Sequence, residues 1–392
     1  MTYRWPLVAN NITLEDRQAA SRFLLSTDRL THGAQVEAFE AEFSAWLGVK
    51  YAVMVNSGAS ANLLTMHALK LSYGCRTVAV PAITWVSDIA AVLHAGMEPV
   101  FVDVDCWTLG MDATHNHSVV DQLFVTHCLG FNALQGQVIR PIIEDCCEAL
   151  GATDKDGRKL GSASLMSNFS FYYSHHLTTI EGGMICTNDA DLYQLLRRLR
   201  SHGLLREMSD KGAMSRIADA HPDLDPQFTF MEAAWNVRPT EVNAVIGRSQ
   251  LKRLDENNAK RNANLRLFLS RLDPNLYQTS YRVEGASNFA LPLVLRSPDP
   301  DLMASVLACL NVNGIEYRRG TVGGGNQLRQ PYAKARWGSH YHTLFPQAEY
   351  LHQFGLFIGN YPTLDQVLIE EVCEKLNNLG APRANTTAHH PV

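Results

Sequence analysis

The 392-residue chain contains no lysine between Lys159 and Lys211. That gap removes from the middle of the chain the side chain that forms imines with carbonyl compounds. Eight cysteines are scattered without any Cys-x-x-Cys, and only Cys146 and Cys147 are adjacent. This usage fits reduced thiols in a cytoplasmic protein. No apolar run approaches the roughly 18 residues of a membrane-spanning helix. The opening Met1-Thr-Tyr-Arg-Trp-Pro lacks the charged-then-apolar layout of a secretion signal. With no basic block and a net charge of −5, neither nucleic acid nor an anionic membrane surface is an expected partner. Neither an internal repeat nor a low-complexity segment occurs. The paired histidines His175-His176 and His389-His390 lack further ligands at metal spacing, so no metal site is expected.

What is present is the composition of a globular enzyme, 46% hydrophobic and 19% charged, long enough for two domains. Short β-branched apolar runs recur at 51–55, 77–80, 99–104, 123–127, 141–144, 168–172 and 184–187. Helix-like stretches or turns separate them, which predicts a mostly parallel seven-stranded sheet between helices, an α/β fold. Residues 190–202 read as an amphipathic helix with Leu192, Leu195, Leu196 and Leu199 on one face. Thr240-Glu241 opens a helical pattern that continues to about Leu272. Residues 289–295 and 314–318 read as strands of a smaller C-terminal α+β domain. The expected division is an arm at 1–14, a large domain at 15–250, a small domain at 251–380 and a polar tail at 381–392. The polar segment 207–230 is a candidate lid or insertion.

Several segments carry chemistry, each with a plainer alternative. Asn56-Ser57-Gly58-Ala59-Ser60 follows a strand and opens a helix, where small residues let N–H groups approach a phosphate; a simple loop would look the same. Trp85, after the strand at 77–80, is either a stacking surface for a flat ring or a core tryptophan. Asp145 and Glu148 end another strand, either as functional carboxylates or as helix caps. Arg318, Arg319, Asn326 and Arg329 surround the run Gly323-Gly-Gly325, either as an anion site or as a solvated loop.

The run Phe169-Ser170-Phe-Tyr-Tyr-Ser-His175-His176-Leu-Thr-Thr-Ile-Glu181-Gly182-Gly183 resembles the active-site segment of the DegT group of sugar aminotransferases. These are fold-type I pyridoxal phosphate (PLP) enzymes. In that family a serine stands five residues before a Schiff-base lysine and Glu-Gly-Gly begins six after it; Ser170 and Glu181 keep both spacings around His175. The matching motifs span about residues 10–380. The resemblance implies that Ala59, Ser60 and Ser170 contact the cofactor phosphate and that Trp85 stacks on its ring. It further implies that Asp145 partners the pyridine nitrogen and that Glu148 lies near the ring hydroxyl. Asn236, in Trp235-Asn-Val-Arg238-Pro-Thr240-Glu241, matches a residue that reaches the neighbouring subunit's cofactor phosphate, so a homodimer with composite sites is expected.

Histidine cannot form the imine, so PLP, or its pyridoxamine form PMP, is expected to be held noncovalently. A neutral imidazole can still move a proton at the reacting carbon. The His-His-x-Thr-x-x-Glu-Gly-Gly arrangement resembles the sugar 3-dehydratases of colitose and ascarylose biosynthesis. The ascarylose type adds cysteines for an iron–sulfur centre, and no cysteine occurs here between Cys186 and Cys309. The colitose type fits better, although Tyr173 stands where proline is usual. Two chemistries follow, both starting from L-glutamate as amino donor. The first, narrowly preferred because other dehydratase features are missing, is amino transfer to a keto sugar for lipopolysaccharide or another cell-surface polysaccharide. That sugar could be an acid such as an oxidised octulosonate. The second is PMP-dependent removal of the C-3 hydroxyl from a 4-keto-6-deoxy nucleotide sugar. A noncatalytic regulator or sugar-binding module, the third reading, conflicts with retention of Trp85, Asp145, Ser170 and Asn236.

Overall fold

A computed structural model describes residues 3–111, 120–134 and 141–380; the expected polar tail lies outside them. Two helices, α1 (Leu14–Ser26) and α2 (Ala34–Leu47), precede the first strand, β1 (Tyr51–Val55). Then come α3 (Gly58–Tyr73), β2 (Thr77–Pro81), α4 (Val86–His94), β3 (Glu98–Val102), β4 (Gln122–Thr126), β5 (Ile143–Asp145), β6 (Met166–Ser170) and β7 (Gly183–Thr187). The seven strands form one sheet in the order β1-β7-β6-β5-β4-β2-β3. Every pair is parallel except those involving β7. Strands β4 to β7 are buried along their whole length, as continuous apolar runs between two helical layers require. The sheet thus matches the expected number and character, with β6 placed two residues earlier than the sequence pattern predicts.

One helical layer is locked by an aromatic cluster. Phe39 and Phe43 of α2 are fully buried against Phe169 and Phe171, with the Phe43–Phe169 centroids 5.2 Å apart. Burial of each ring contributes roughly 2–3 kcal/mol. Glu241 holds the start of α2 by accepting the backbone N–H groups of Gly33, Gln35 and Val36, each at 2.9 Å. Beyond the sheet lie α5 (Ala190–Arg200) and α6 (Lys211–Ala220); α6 buries no residue and is the helical part of the segment expected at 207–230.

The long helix expected from Thr240 to Leu272 is two helices, α7 (Glu241–Leu251) and α8 (Leu254–Arg271). The break has a cause: Arg253 leaves helical geometry and turns its guanidinium to Asp16 of α1, 2.9 Å away, and to the Asn11 carbonyl. The smaller C-terminal part carries β8 (Ala290–Val294), α9 (Pro300–Val312), β9 (Tyr317–Arg319), α10 (Pro331–Trp337), α11 (Pro346–Phe354), β10 (Gly355–Gly359) and α12 (Gln366–Asn377). Its antiparallel sheet runs β8-β10-β9, and the central strand β10 has no counterpart in the sequence reading. Trp5 of the arm is fully buried beside it and donates its indole N–H to the Gly359 carbonyl at 2.9 Å.

Candidate active site

The carboxyl ends of β2, β4, β5 and β6 and the N-termini of α3 and α4 meet at one sheet edge, the usual place for a ligand in an open α/β sheet. Asp145 ends β5, flanked in register by Thr126 of β4 and Asn168 of β6. Its Oδ1 accepts the Cys147 N–H at 2.8 Å and its Oδ2 accepts the Asn62 amide at 3.0 Å. Asn62 comes from α3 and is oriented by Asn168, whose amide donates to its carbonyl at 2.9 Å. The buried Asp145 carboxylate is therefore aimed by two strands and one helix.

At the start of α3, Ser57 caps the helix by accepting the Ser60 N–H at 3.1 Å, and the backbone at Ala59 faces solvent. A helix N-terminus with free N–H groups and positive dipole end suits a phosphate. Gly58 and Ser170 are pressed together there: a Cβ on Gly58 would stand 2.7 Å from the Ser170 Cβ. Gly58→Ala forces these two elements apart. The expected result is a loss of about 1–3 kcal/mol in chemical denaturation, together with weaker PLP binding measured by fluorescence titration.

Trp85 sits at the N-terminus of α4 and is 56% exposed, an unusual state for the largest aromatic side chain. The neighbouring Thr84 is fully buried, so the backbone is fixed while the ring stays open to a ligand. Among the described residues Glu148 has no ion-pair partner; one of its oxygens accepts the Leu129 N–H at 2.8 Å. Burial, opposed by that hydrogen bond and reinforced by Asp145, pushes its carboxyl up to about 8, so it carries a proton near neutrality.

His175 lies between Tyr172 and Phe289, its ring centroid 5.2 Å from that of Phe289. Its carbonyl accepts the Asn11 side-chain amide at 3.2 Å, so the arm touches the same loop. The Nδ1 atom is buried without a hydrogen-bond partner. Burial pushes the ring down to about 4, against the pull of Asp145, leaving a neutral imidazole with an available nitrogen. His176 differs in kind: its Nε2 lies 3.0 Å from the Ser287 carbonyl in a fully enclosed setting, a packing role. The lysines flanking the gap do not replace a missing amine. Lys159 Nζ donates to the Trp46 carbonyl at 2.9 Å, and Lys211 Nζ to that of Met208 at 3.2 Å.

These features match PLP. A helix N-terminus, an open aromatic face, a buried carboxylate and the neutral imidazole of His175 are the groups that such a cofactor's phosphate, ring, ring nitrogen and reacting carbon call for. The chain belongs to the DegT/DnrJ/EryC1/StrS aminotransferase family, whose pattern matches residues 11–377. Members of this family depend on PLP. The chain is 31% identical over 360 residues to a GDP-4-keto-6-deoxy-D-mannose 3-dehydratase of Escherichia coli O55:H7, covering 87% of this chain and 92% of that protein. A second protein of that name, from Yersinia pseudotuberculosis, is 30% identical over 394 residues, covering 96% and 98%. The fold superimposes with a TM-score of 0.82, at 29% identity, on a GDP-4-keto-6-deoxymannose 3-dehydratase holding a trapped PLP–glutamate geminal diamine. That match covers 95% of this chain and all of the other.

The remaining residues singled out from sequence are placed differently. Asn236 is exposed, in a segment whose Val237 carbonyl accepts the Asn56 N–H at 3.0 Å. Arg318 pairs with Glu316 at 3.0 Å, and Arg319 donates to the Gln353 carbonyl at 2.9 Å. Arg329 makes a forked pair with Glu349, and Asn326, fully buried, donates to the same carboxylate at 2.8 Å. These two residues close the glycine loop upon α11 by sharing its Glu349 carboxylate. Among the described residues one buried trio, His127, Glu144 and Cys146, has metal-ligand spacing. Both His127 ring nitrogens are already engaged, by Glu144 at 2.9 Å and by the Ala133 N–H at 3.1 Å. Asn62, Asp88 and Asn168 were not legible in the sequence as site residues. Asn62 lies on α3 and Asp88 on α4, and only the strand order brings them to Asp145.

Proposed function

We propose that the chain is a PMP-dependent keto-sugar 3-dehydratase acting on a 4-keto-6-deoxy sugar carried by a nucleoside diphosphate. The observation that carries this is His175: a neutral imidazole whose Nδ1 has no hydrogen-bond partner stands at the family's lysine position, and among the described residues no lysine enters the site. The full-length similarity to two 3-dehydratases favours this reading over the amino transfer preferred from sequence. Ala59, Ser60 and Ser170 would hold the phosphate, Trp85 the ring face, Asp145 the ring nitrogen and Glu148 the ring hydroxyl. When bound, the cofactor supplies a carbonyl that takes up the amino group of L-glutamate and a ring that accepts electrons. His175 then moves protons at the reacting carbon, and Trp85 keeps water from one face.

Asn236 is exposed beside the phosphate-binding turn, which supports a homodimer in which each subunit completes its partner's site. Eight unpaired cysteines and a nucleotide-linked substrate accord with a cytoplasmic enzyme. Incubation of purified protein with PLP and glutamate should release 2-oxoglutarate and give the PMP absorbance. Mass spectrometry of a GDP-4-keto-6-deoxy sugar treated with the loaded enzyme should then show loss of a hydroxyl. A product that has gained an amine would establish amino transfer instead, and no 2-oxoglutarate would exclude both.

A further inference from the structure

Behind Asp145 lies a second acid. Asp88, in the first turn of α4, is fully buried and faces the Asp145 carboxyl across one shared amide. A single amide bridges the two: Asn62 Nδ2 donates to Asp88 Oδ1 at 2.6 Å and to Asp145 Oδ2 at 3.0 Å. The hydroxyls of Thr84 and Thr126 meet at Asp88 Oδ2, and lie 2.8 Å from one another. Among the described residues, no arginine or lysine pairs with either acid. The other titratable groups around Asp88 are the thiols of Cys128 and Cys147 and the phenol of Tyr332, each held in its neutral form by burial. His175 and Glu148 face the Asp145 side of the pair.

Two carboxylates in one enclosed, cation-free pocket cannot both ionise cheaply. We propose that Asp88 is a positioning residue that keeps one proton at neutral pH and donates it to Asp145, so that the pair carries a single negative charge directed at the cofactor's ring nitrogen. This rests on the reading of Asp145 as the ring-nitrogen partner. Burial first, and then the charge of Asp145, raise the Asp88 carboxyl well above the usual carboxylate range, in keeping with the geometry.

The consequence for Asp145 has a definite sign. A donated O–H stabilises the Asp145 carboxylate, which would then stand as the anion facing a protonated pyridine nitrogen. Without that donor, Asp145 is a buried carboxylate short of one hydrogen bond, and a bound cofactor's ring would lose part of the support for its protonated nitrogen.

The test has one arm without cofactor and one with it. In protein labelled with 13C at aspartate carboxyls and free of PLP, infrared spectroscopy should show a protonated aspartate band that persists from pH 6 to pH 8. That band should vanish in Asp88→Asn. Its absence from the unaltered protein, or its survival in Asp88→Asn, overturns the proposal whether or not PLP binds as described. In the second arm, the nitrogen NMR shift of bound ring-15N PLP should report a protonated nitrogen in the unaltered protein and in Asp88→Asn, where the amide still donates. In Asp88→Ala it should report an unprotonated nitrogen, with PMP formation at least tenfold slower. An unchanged shift in Asp88→Ala would reduce Asp88 to packing. If Asp145→Asn leaves the shift of bound PLP untouched, the reading of Asp145 fails, and the infrared result stands separately.

Discussion

His175→Asn abolishes the conversion of PLP to PMP by glutamate and leaves PLP bound. Asparagine is close to imidazole in size and keeps a polar head, so the loop between Tyr172 and Leu177 retains its packing on Phe289 and its tie to Asn11. What disappears is a neutral base, since an amide has no basic nitrogen near neutral pH. General base catalysis contributes typically 10²–10⁴-fold, and no lysine stands by to take over. Release of 2-oxoglutarate should therefore fall by about 10³-fold or more, while PLP affinity by equilibrium dialysis changes little. Retained turnover would place the proton transfer on another group.

Asp145→Ala should be nearly as damaging, through a different property. The carboxylate is the one acid aimed from the sheet edge by both a backbone N–H and a fixed amide. Removing it leaves Asn62 still held by Asp88 and Asn168, while the Cys147 N–H loses its acceptor, so the charge goes together with one hydrogen bond. The ring nitrogen then has no counter-ion, and the electron-accepting power of the cofactor drops. PMP formation should slow by about 10²–10⁴-fold, a barrier increase of roughly 3–5 kcal/mol. A variant that binds PLP and keeps more than a tenth of the rate would assign the electron sink elsewhere.

The contrast between what could and could not be read from the chain follows contact range. Strands β1 to β7 were legible because most are short, largely buried runs with apolar residues between turn or helix signals. β10 was not: Gly355–Gly359 directly follows α11 and becomes a strand only through its ladders to β8 and β9. His175, Ser170, Trp85 and Asp145 stand in local motifs whose spacing survives in one dimension. Asp88 and Asn62 reach Asp145 from two different helices, a meeting that no spacing records. Near the glycine run the sequence shows the charge but not its partner: Glu349, twenty residues beyond Arg329, pairs with that guanidinium.

The glycine loop of the C-terminal part has a mechanical meaning. Gly323 adopts φ +55° against the Thr84 carbonyl, where a Cβ would come within 2.5 Å. Asn326 bridges to Ile83, and the Gln327 N–H donates to the Ala82 carbonyl at 2.9 Å. The loop is thus riveted to the turn that carries Trp85. Three backbone contacts, at Ala82, Ile83 and Thr84, tie the C-terminal part to the residues immediately before Trp85, so a displacement of that loop would be felt first at the tryptophan.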